Sequence, residues 1–359
     1  KLEPKLQQTF LDLSAFPADF DSQAEEQICR DEGHKSLSEL VRWSLVDYKP
    51  QGPDYGRYKL HDLARIFALA RQEEEQKAAI SQRHASYYED LLSAADDLYL
   101  KGGESTLAGL ALFDREEANI QAGQGWAAKS MKKASSAAEI CMRYPDAGAY
   151  VLDLRLHPRQ KIAWLEDGLE GARELKDRSM EGNHLGNLGL AYAALSEFRK
   201  AIEFYEQDLD IAREIGDKRM EGNQLGNLGS AYYTLGEPRK AIEYYEQHLV
   251  IAREIGDRRG EGNALGNLGS AYCTLGEIKK AQNYYQQRLE IAREIGDRRG
   301  EGNALWGLAI FHEKMDDLEK AIENAEEALK IFERIESPSA STMSDLISKW
   351  ELRERHNGF

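Results

Sequence analysis

A mostly α-helical solenoid of stacked helix pairs, with a small mixed domain ahead of it, is predicted by three observations. The tripeptide Glu-Gly-Asn begins at Glu181, Glu221, Glu261 and Glu301, a spacing of 40 residues each time. A period of that length marks a repeat architecture rather than a single globular core. Each period also holds two stretches with apolar residues three and four apart, and turn residues separate them.

Residues 1–75 stand outside the period. Gln7-Gln8-Thr9-Phe10-Leu11 opens an amphipathic run, Asp21 can cap a second helix, and SLSELVRWSL at 36–45 supplies a third with Leu37, Leu40 and Val41 inward. Val46-Asp47-Tyr48 and Arg57-Tyr58-Lys59 flank the turn QGPDYG as hairpin strands would. Three helices and a hairpin suggest a winged helix. Residues 76–140 read as a helical connector, with LFDREEANIQAGQGWA amphipathic. Residues 141–180 form a degenerate repeat, since PRQKIAWLEDGLEGARELKDR aligns eighty residues ahead of PRKAIEYYEQHLVIAREIGDR.

Residues 181–338 hold four clear repeats. In the second, Leu225, Leu228 and Tyr232 share one face of a first helix, and Leu235-Gly236-Glu237 interrupts it. Pro238 suits the opening turn of the second helix, which turns Ala241, Ile242, Tyr245, Leu249 and Ala252 inward. Gly256 suits a left-handed helix end, and Asp257 can cap the helix that follows. Residues 339–359 place Met343, Leu346, Ile347 and Trp350 at helical spacing, as an end-capping helix would.

These residues resemble the tetratricopeptide repeat. Its pattern stands here as Leu228-Gly229, Tyr232, Ala241 and Tyr245, and recurs at Leu188-Gly189, Tyr192, Ala201, Tyr205 and at Leu268-Gly269, Tyr272, Ala281, Tyr285. Where the family commonly has a further small residue on the second helix, this sequence has Asp208, His248 and Arg288, and only Ala328 conforms. Those three are expected at partly exposed contacts between repeats. The segment LVRWSLVDYKPQGPDYGRYKLHDLARIFA resembles the winged-helix end of NB-ARC, or STAND-type, signalling NTPases, with Leu60-His61-Asp62 in place of their "MHD" motif. The resemblance implies that His61 contacts a bound nucleotide's β-phosphate in an intact family protein.

Composition narrows the function. No GxxxxGK[ST] loop occurs, so no ATPase activity and no cofactor are expected of this chain; ADP or ATP would enter only through an upstream nucleotide-binding domain. The chain opens on Lys1 rather than methionine, so a fragment or a processed product, with a missing upstream region, has to be considered. A net charge of −16 disfavours nucleic acid, and the third N-terminal helix offers only Lys35 and Arg42 beside Glu39. Cys29, Cys141 and Cys273 are too scattered for a disulfide framework or a zinc site, and the histidines lack ligand spacing, so no metal and no catalytic residue is assigned. Neither a membrane span nor a signal peptide is visible, and a cytoplasmic protein is expected.

The asparagines carry the functional expectation. Asn223 and Asn227 lie four apart, with Ser230 three further, on the side of the helix opposite Leu228 and Tyr232. Stacked repeats would align Asn183, Asn223, Asn263 and Asn303 in one row and Asn187, Asn227 and Asn267 in another, with Ser270 matching Ser230. An amide both donates and accepts, as the backbone of an extended peptide requires. Gly226 and Gly266, each disfavouring a helix by about 1 kcal/mol, would let a peptide backbone approach, and Trp306 would close one end of the groove. Similar asparagine ladders occur in kinesin light chains and G-protein-signalling modulators, whose repeats these resemble and whose grooves bind peptides. A partner protein or extended peptide is therefore expected. The alternatives are a C-terminal fragment of a STAND NTPase whose repeats maintain autoinhibition, and a winged-helix DNA-binding regulator; for the repeated asparagines and glycines themselves the alternative is recent duplication copying neutral residues, or glycine easing helix packing.

Overall fold

Helix formation begins at Pro4, whose missing N–H is one that a first turn leaves unbonded in any case. The computed structural model describes residues 3–51, 56–337 and 339–357. Residues 52–55 of the expected QGPDYG turn, and Pro338, lie outside the described residues. The chain divides into two compact units, 1–184 and 185–359.

The first unit opens with α1 (Pro4–Asp12), α2 (Ser22–Cys29) and α3 (Lys35–Arg42). Asp21 caps α2 by accepting the Ala24 amide at 2.8 Å. Strands β1 (Val46–Pro50) and β2 (Gly56–Leu60) then pair antiparallel with Val46 opposite Leu60 and Tyr48 opposite Tyr58, and α4 (Asp62–Leu69) follows. Two long helices, α5 (Glu74–Leu100) and α6 (Glu104–Ser130), pack on each other, and α7 (Ser135–Ala147), α8 (Ala149–Arg155) and α9 (Pro158–Leu175) complete the unit. Its core is continuous from Leu6 to Trp164. The hairpin is pinned by buried Arg57, whose Nε donates to Asp19 Oδ1 at 3.0 Å and whose Nη2 donates to Glu116 Oε2 of α6 at 3.0 Å. Asn119 Nδ2 closes the network on the Asp19 carbonyl at 3.0 Å. A buried cation with both carboxylates satisfied is costly to break, so the hairpin cannot lift from α6 cheaply.

Helix α10 (Arg178–Ala194) crosses the division. The second unit continues with α11 (Phe198–Ile215), α12 (Lys218–Thr234), α13 (Pro238–Glu254), α14 (Arg258–Thr274), α15 (Ile278–Ile295), α16 (Arg298–Lys314), α17 (Leu318–Arg334) and α18 (Ser339–Asn357). The expected core positions Leu225, Leu228, Tyr232, Ala241, Ile242, Tyr245, Leu249 and Ala252 are all buried. Tyr232 lies parallel to Tyr244 at 5.4 Å, and Tyr272 to Tyr284 at 5.5 Å, so the tyrosine stripe packs helix against helix.

The junctions between repeats are built alike. Gly256 takes a φ of +69° to end one helix, and Asp257 caps the next by accepting the Gly260 amide at 2.9 Å. Glu261, the first residue of the repeated tripeptide, is buried and accepts from Arg253 Nε at 2.7 Å and Arg258 Nη1 at 2.5 Å. Burial alone would raise its carboxyl; the two cations outweigh it and hold the group below its ordinary range. Glu221 is clamped in the same way by Arg213 and Lys218, and Glu301 by Arg293 and Arg298. The repeat begins with glutamate because that side chain bolts each helix pair to the one before it.

Candidate functional site

Within the second unit, α12 packs on α14 and α14 on α16, so successive first helices are direct neighbours. Successive second helices stand further apart, with an open space between α11 and α13 lined by Glu206, Asp210, Tyr244 and Gln247. The first helices therefore form the inner face of the stack. Tyr233 of α12 and Thr274 of α14 share a hydrogen bond of 2.9 Å across it.

The asparagines lie on that face. Asn223, Asn263 and Asn303 are exposed, and Asn187, Asn227 and Asn267 are half-buried. The amides of Asn187, Asn223, Asn263, Asn267 and Asn303 bond no described residue, whereas Asn227 Nδ2 donates to Gln224 Oε1 at 3.1 Å. Asn183 belongs to the first unit; it is exposed, and its amide touches Met180 Sδ at 3.7 Å.

Other expected site residues are placed differently. Gly226 and Gly266 do not open toward a ligand: a Cβ on Gly226 would lie 3.1 Å from His248 Nδ1, and one on Gly266 would run into the Arg288 guanidinium. Both glycines face their own second helix, which is the packing alternative. The expected partial exposure of the column on that helix holds for Arg288, which is half-buried, and needs correction for Asp208 and His248, which are buried. Burial raises the Asp208 carboxyl to about 7, the nearby charge of Asp217 adding to the effect and the Gln224 amide opposing it. Burial lowers His248 and Arg288.

The sizes at the two positions are matched. Gly186, Gly226 and Gly266 stand where the second helix carries Asp208, His248 and Arg288, and Trp306 stands where it carries Ala328. Trp306 stacks on Trp350 of α18 at 5.9 Å and packs on the clusters that hold Ala325 and Ala328. It is therefore a seam between the last repeat and the capping helix, as well as one wall of a cavity. Ser230 and Ser270 are also occupied. Ser230 Oγ donates to the Gly226 carbonyl at 2.9 Å and accepts from the Tyr245 hydroxyl at 3.3 Å, and Ser270 bonds Gly266 and Tyr285 in the same manner, both at 3.1 Å.

Residues 220–294 match the tetratricopeptide repeat family, and residues 185–219 match a second form of the same repeat. These are tetratricopeptide repeats. No curated protein matches the chain. Among solved structures, the tetratricopeptide array and the unit before it are similar to the apo form of RapI, at 14% identity and a TM-score of 0.55 over 96% of this chain and 79% of that one. BtubC (BKLC) from P. vanneervenii is similar at 18% identity and a TM-score of 0.51, over 59% of this chain and 92% of that one. A signal transduction ATPase with numerous domains (STAND), with a tetratricopeptide repeat sensor, from Pyrococcus horikoshii aligns at 18% identity and a TM-score of 0.42, over 98% of this chain and 60% of that one. The first two likenesses are of fold, and the third is too loose to support a reading of the N-terminal unit.

In that unit His61 precedes α4, half-exposed, with Nε2 3.3 Å from Asp47 Oδ1. A core role for it is thereby excluded. Leu63, Ile66 and Phe67 present an exposed apolar stripe on α4 beside it. Among the described residues, no helix is long and apolar enough to cross a membrane.

Proposed function

We propose that the tetratricopeptide array is a non-enzymatic protein-interaction module that holds an extended segment of a partner protein along its inner face. The observation that carries this is the row of inner-face amides left without internal partners, at one residue per helix pair and at matching positions. A solvated amide stabilises nothing within the fold and disfavours the helix it sits in. Repeated along one face, such amides can bond alternate N–H and C=O groups of an extended chain.

A second reading, that of a STAND-type fragment in which ADP or ATP is bound by an upstream nucleotide-binding domain, is favoured by one feature. The stripe of Leu63, Ile66 and Phe67 beside His61 is the sort of surface that another domain covers. The two readings are compatible, since an interaction array can report its occupancy to a neighbouring domain.

The groove reading is tested by position-specific cross-linking. Full-length chain carrying the photoreactive residue p-benzoylphenylalanine at Asn263 or, separately, at Arg239 on the outer helix α13 is irradiated with a peptide selected from a random twelve-residue library. Cross-links from position 263 and none from 239 are expected. Equal labelling from both, or failure of the library to yield any binder, contradicts the proposal.

A further inference from the structure

The outer face of the array departs from the repeat at one place. Val250 of α13 is 64% exposed, and the same position carries Asp210 in α11, Glu290 in α15 and Lys330 in α17. Three repeats put a charge where water is met, and the fourth puts an apolar side chain there. The surface beside it is open: a space of about 540 Å³ is lined by Glu243, Glu246, Gln247 and Val250, with buried Leu225 and Ile251 beneath. The space of about 410 Å³ between α11 and α13 shares Glu243 and Gln247 with it, so the two form one groove.

The groove is strongly acidic. Its lining carries Glu206, Asp210, Glu221, Glu243 and Glu246 against one cation, Arg213. That guanidinium is committed, donating to Glu221 at 3.0 Å and to Gln247 at 3.4 Å. Among the described residues, Glu206, Asp210 and Glu243 enter no ion pair, and Glu246 accepts a hydrogen bond from the Tyr272 hydroxyl at 3.3 Å. The pattern is not simply copied along the stack. Where α13 has Glu243 and Glu246, α15 has Asn283 and Gln286, and α17 has Glu323 and Glu326 beside Lys330 instead of an apolar residue. Carboxylates gathered round an apolar centre repel one another and leave that centre wet, and a basic, partly apolar ligand relieves both costs together.

We infer that this groove is a second docking site, which takes a basic amphipathic helix of a partner protein. Glu243, Gln247 and Val250 lie along one stripe of α13 at i, i+4 and i+7, and the groove's other wall, α11, is also a helix. A helical ligand can therefore set its own ridge of side chains between them. On that ligand an apolar side chain meets Val250 and Leu209, and basic residues one and two turns along the same stripe reach Glu246, Glu206 and Glu243. Arginine suits these places better than lysine, because its fork pairs with a carboxylate through two hydrogen bonds. The site lies on the outer face, away from the asparagines, and does not depend on the peptide reading of the inner face.

The test presents the full chain with a library of alanine-based helices of about eighteen residues, long enough to be helical alone, randomised along one stripe. Wild type is expected to select arginine or lysine at two positions of the stripe and an apolar residue at a third. Val250→Glu, which supplies the charge that α15 has there, and Asp210→Lys/Glu243→Lys should each weaken the selected helices about tenfold. All three positions are exposed, and unchanged thermal unfolding establishes that the variants are folded. Affinity should also fall between about 0.05 and 0.5 M salt. Asn223→Ala/Asn263→Ala should bind the helices as wild type does, which separates this site from the inner face. Selection of helices without basic residues, equal binding of a version interrupted by proline, indifference to both outer-face variants, or no binder at all overturns the inference. Self-association of wild type that Val250→Glu abolishes also overturns it, and assigns the groove to a second copy of the chain.

Discussion

Two residues show how this array departs from a uniform repeat, and each predicts a measurable effect. Gly229 faces the ring of Tyr245, where an added Cβ would lie 2.5 Å from Cε1. Helix propensity favours alanine by about 1 kcal/mol, but a ring fixed in the core cannot retreat. Gly229→Ala should therefore lower stability by about 1–3 kcal/mol, read from urea unfolding. Asp208 acts in the opposite sense. Its folded pKa of about 7 lies above the ordinary 3.8, so the neutral form is the one the fold favours. Its contribution is fully present below about pH 4, is lost as pH rises toward 7, and is constant above that. Asp208→Asn should raise stability at pH 8 by about 1–3 kcal/mol and remove this part of the pH dependence, as unfolding at pH 5 and pH 8 will show.

Between elements, the glutamate clamp is the joint that carries the stack. Glu261 joins the end of α13 to the start of α14, with both cations half-exposed and the carboxylate buried. Because the folded carboxyl is held below its ordinary value, its contribution is present above the unfolded pKa and fades as pH falls through the folded one. Glu261→Ala should destabilise by about 1–3 kcal/mol near neutral pH, and the difference from wild type should shrink in acid. In a one-dimensional stack, such a loss also loosens the coupling between neighbours. Broadening of the thermal transition, with little change in helix content at 20 °C, is the expected signature.

At the scale of the molecule, the periodic part of the fold was legible in the sequence and the non-periodic part less so. Helix ends at Pro238, Gly256 and Asp257 depend on local chemistry and can be read from neighbouring residues. The network of Arg57, Asp19 and Glu116 depends on a contact fifty-nine residues away, which no local pattern reveals. The Asn223, Asn263 and Asn303 row was legible because its residues share a helix face, while the glycines beside it were misread toward a ligand. The signal that corrects them was present: Gly266 occurs with Arg288, and Trp306 with Ala328, so the two positions trade volume across the helix pair.

Ligand geometry also follows from the stack. Helices pack about 8–10 Å apart and an extended chain advances about 3.3 Å per residue, so roughly three ligand residues pass each helix. A peptide of about nine to twelve residues should therefore reach full affinity, and shortening it below six should lose most of the binding. Truncation series of a library-selected peptide, measured by fluorescence anisotropy, will show where affinity saturates.

The central claim, that the inner-face amides hold an extended peptide, is tested most directly by the dissociation constant of that peptide for wild type and for Asn223→Ala/Asn263→Ala, whose amides bond no described residue. The account predicts binding weakened by about 1–3 kcal/mol, with thermal stability unchanged or slightly raised because alanine is the better helix former. An unchanged dissociation constant in a folded double variant would contradict it, and the repeats would then be a structural spacer.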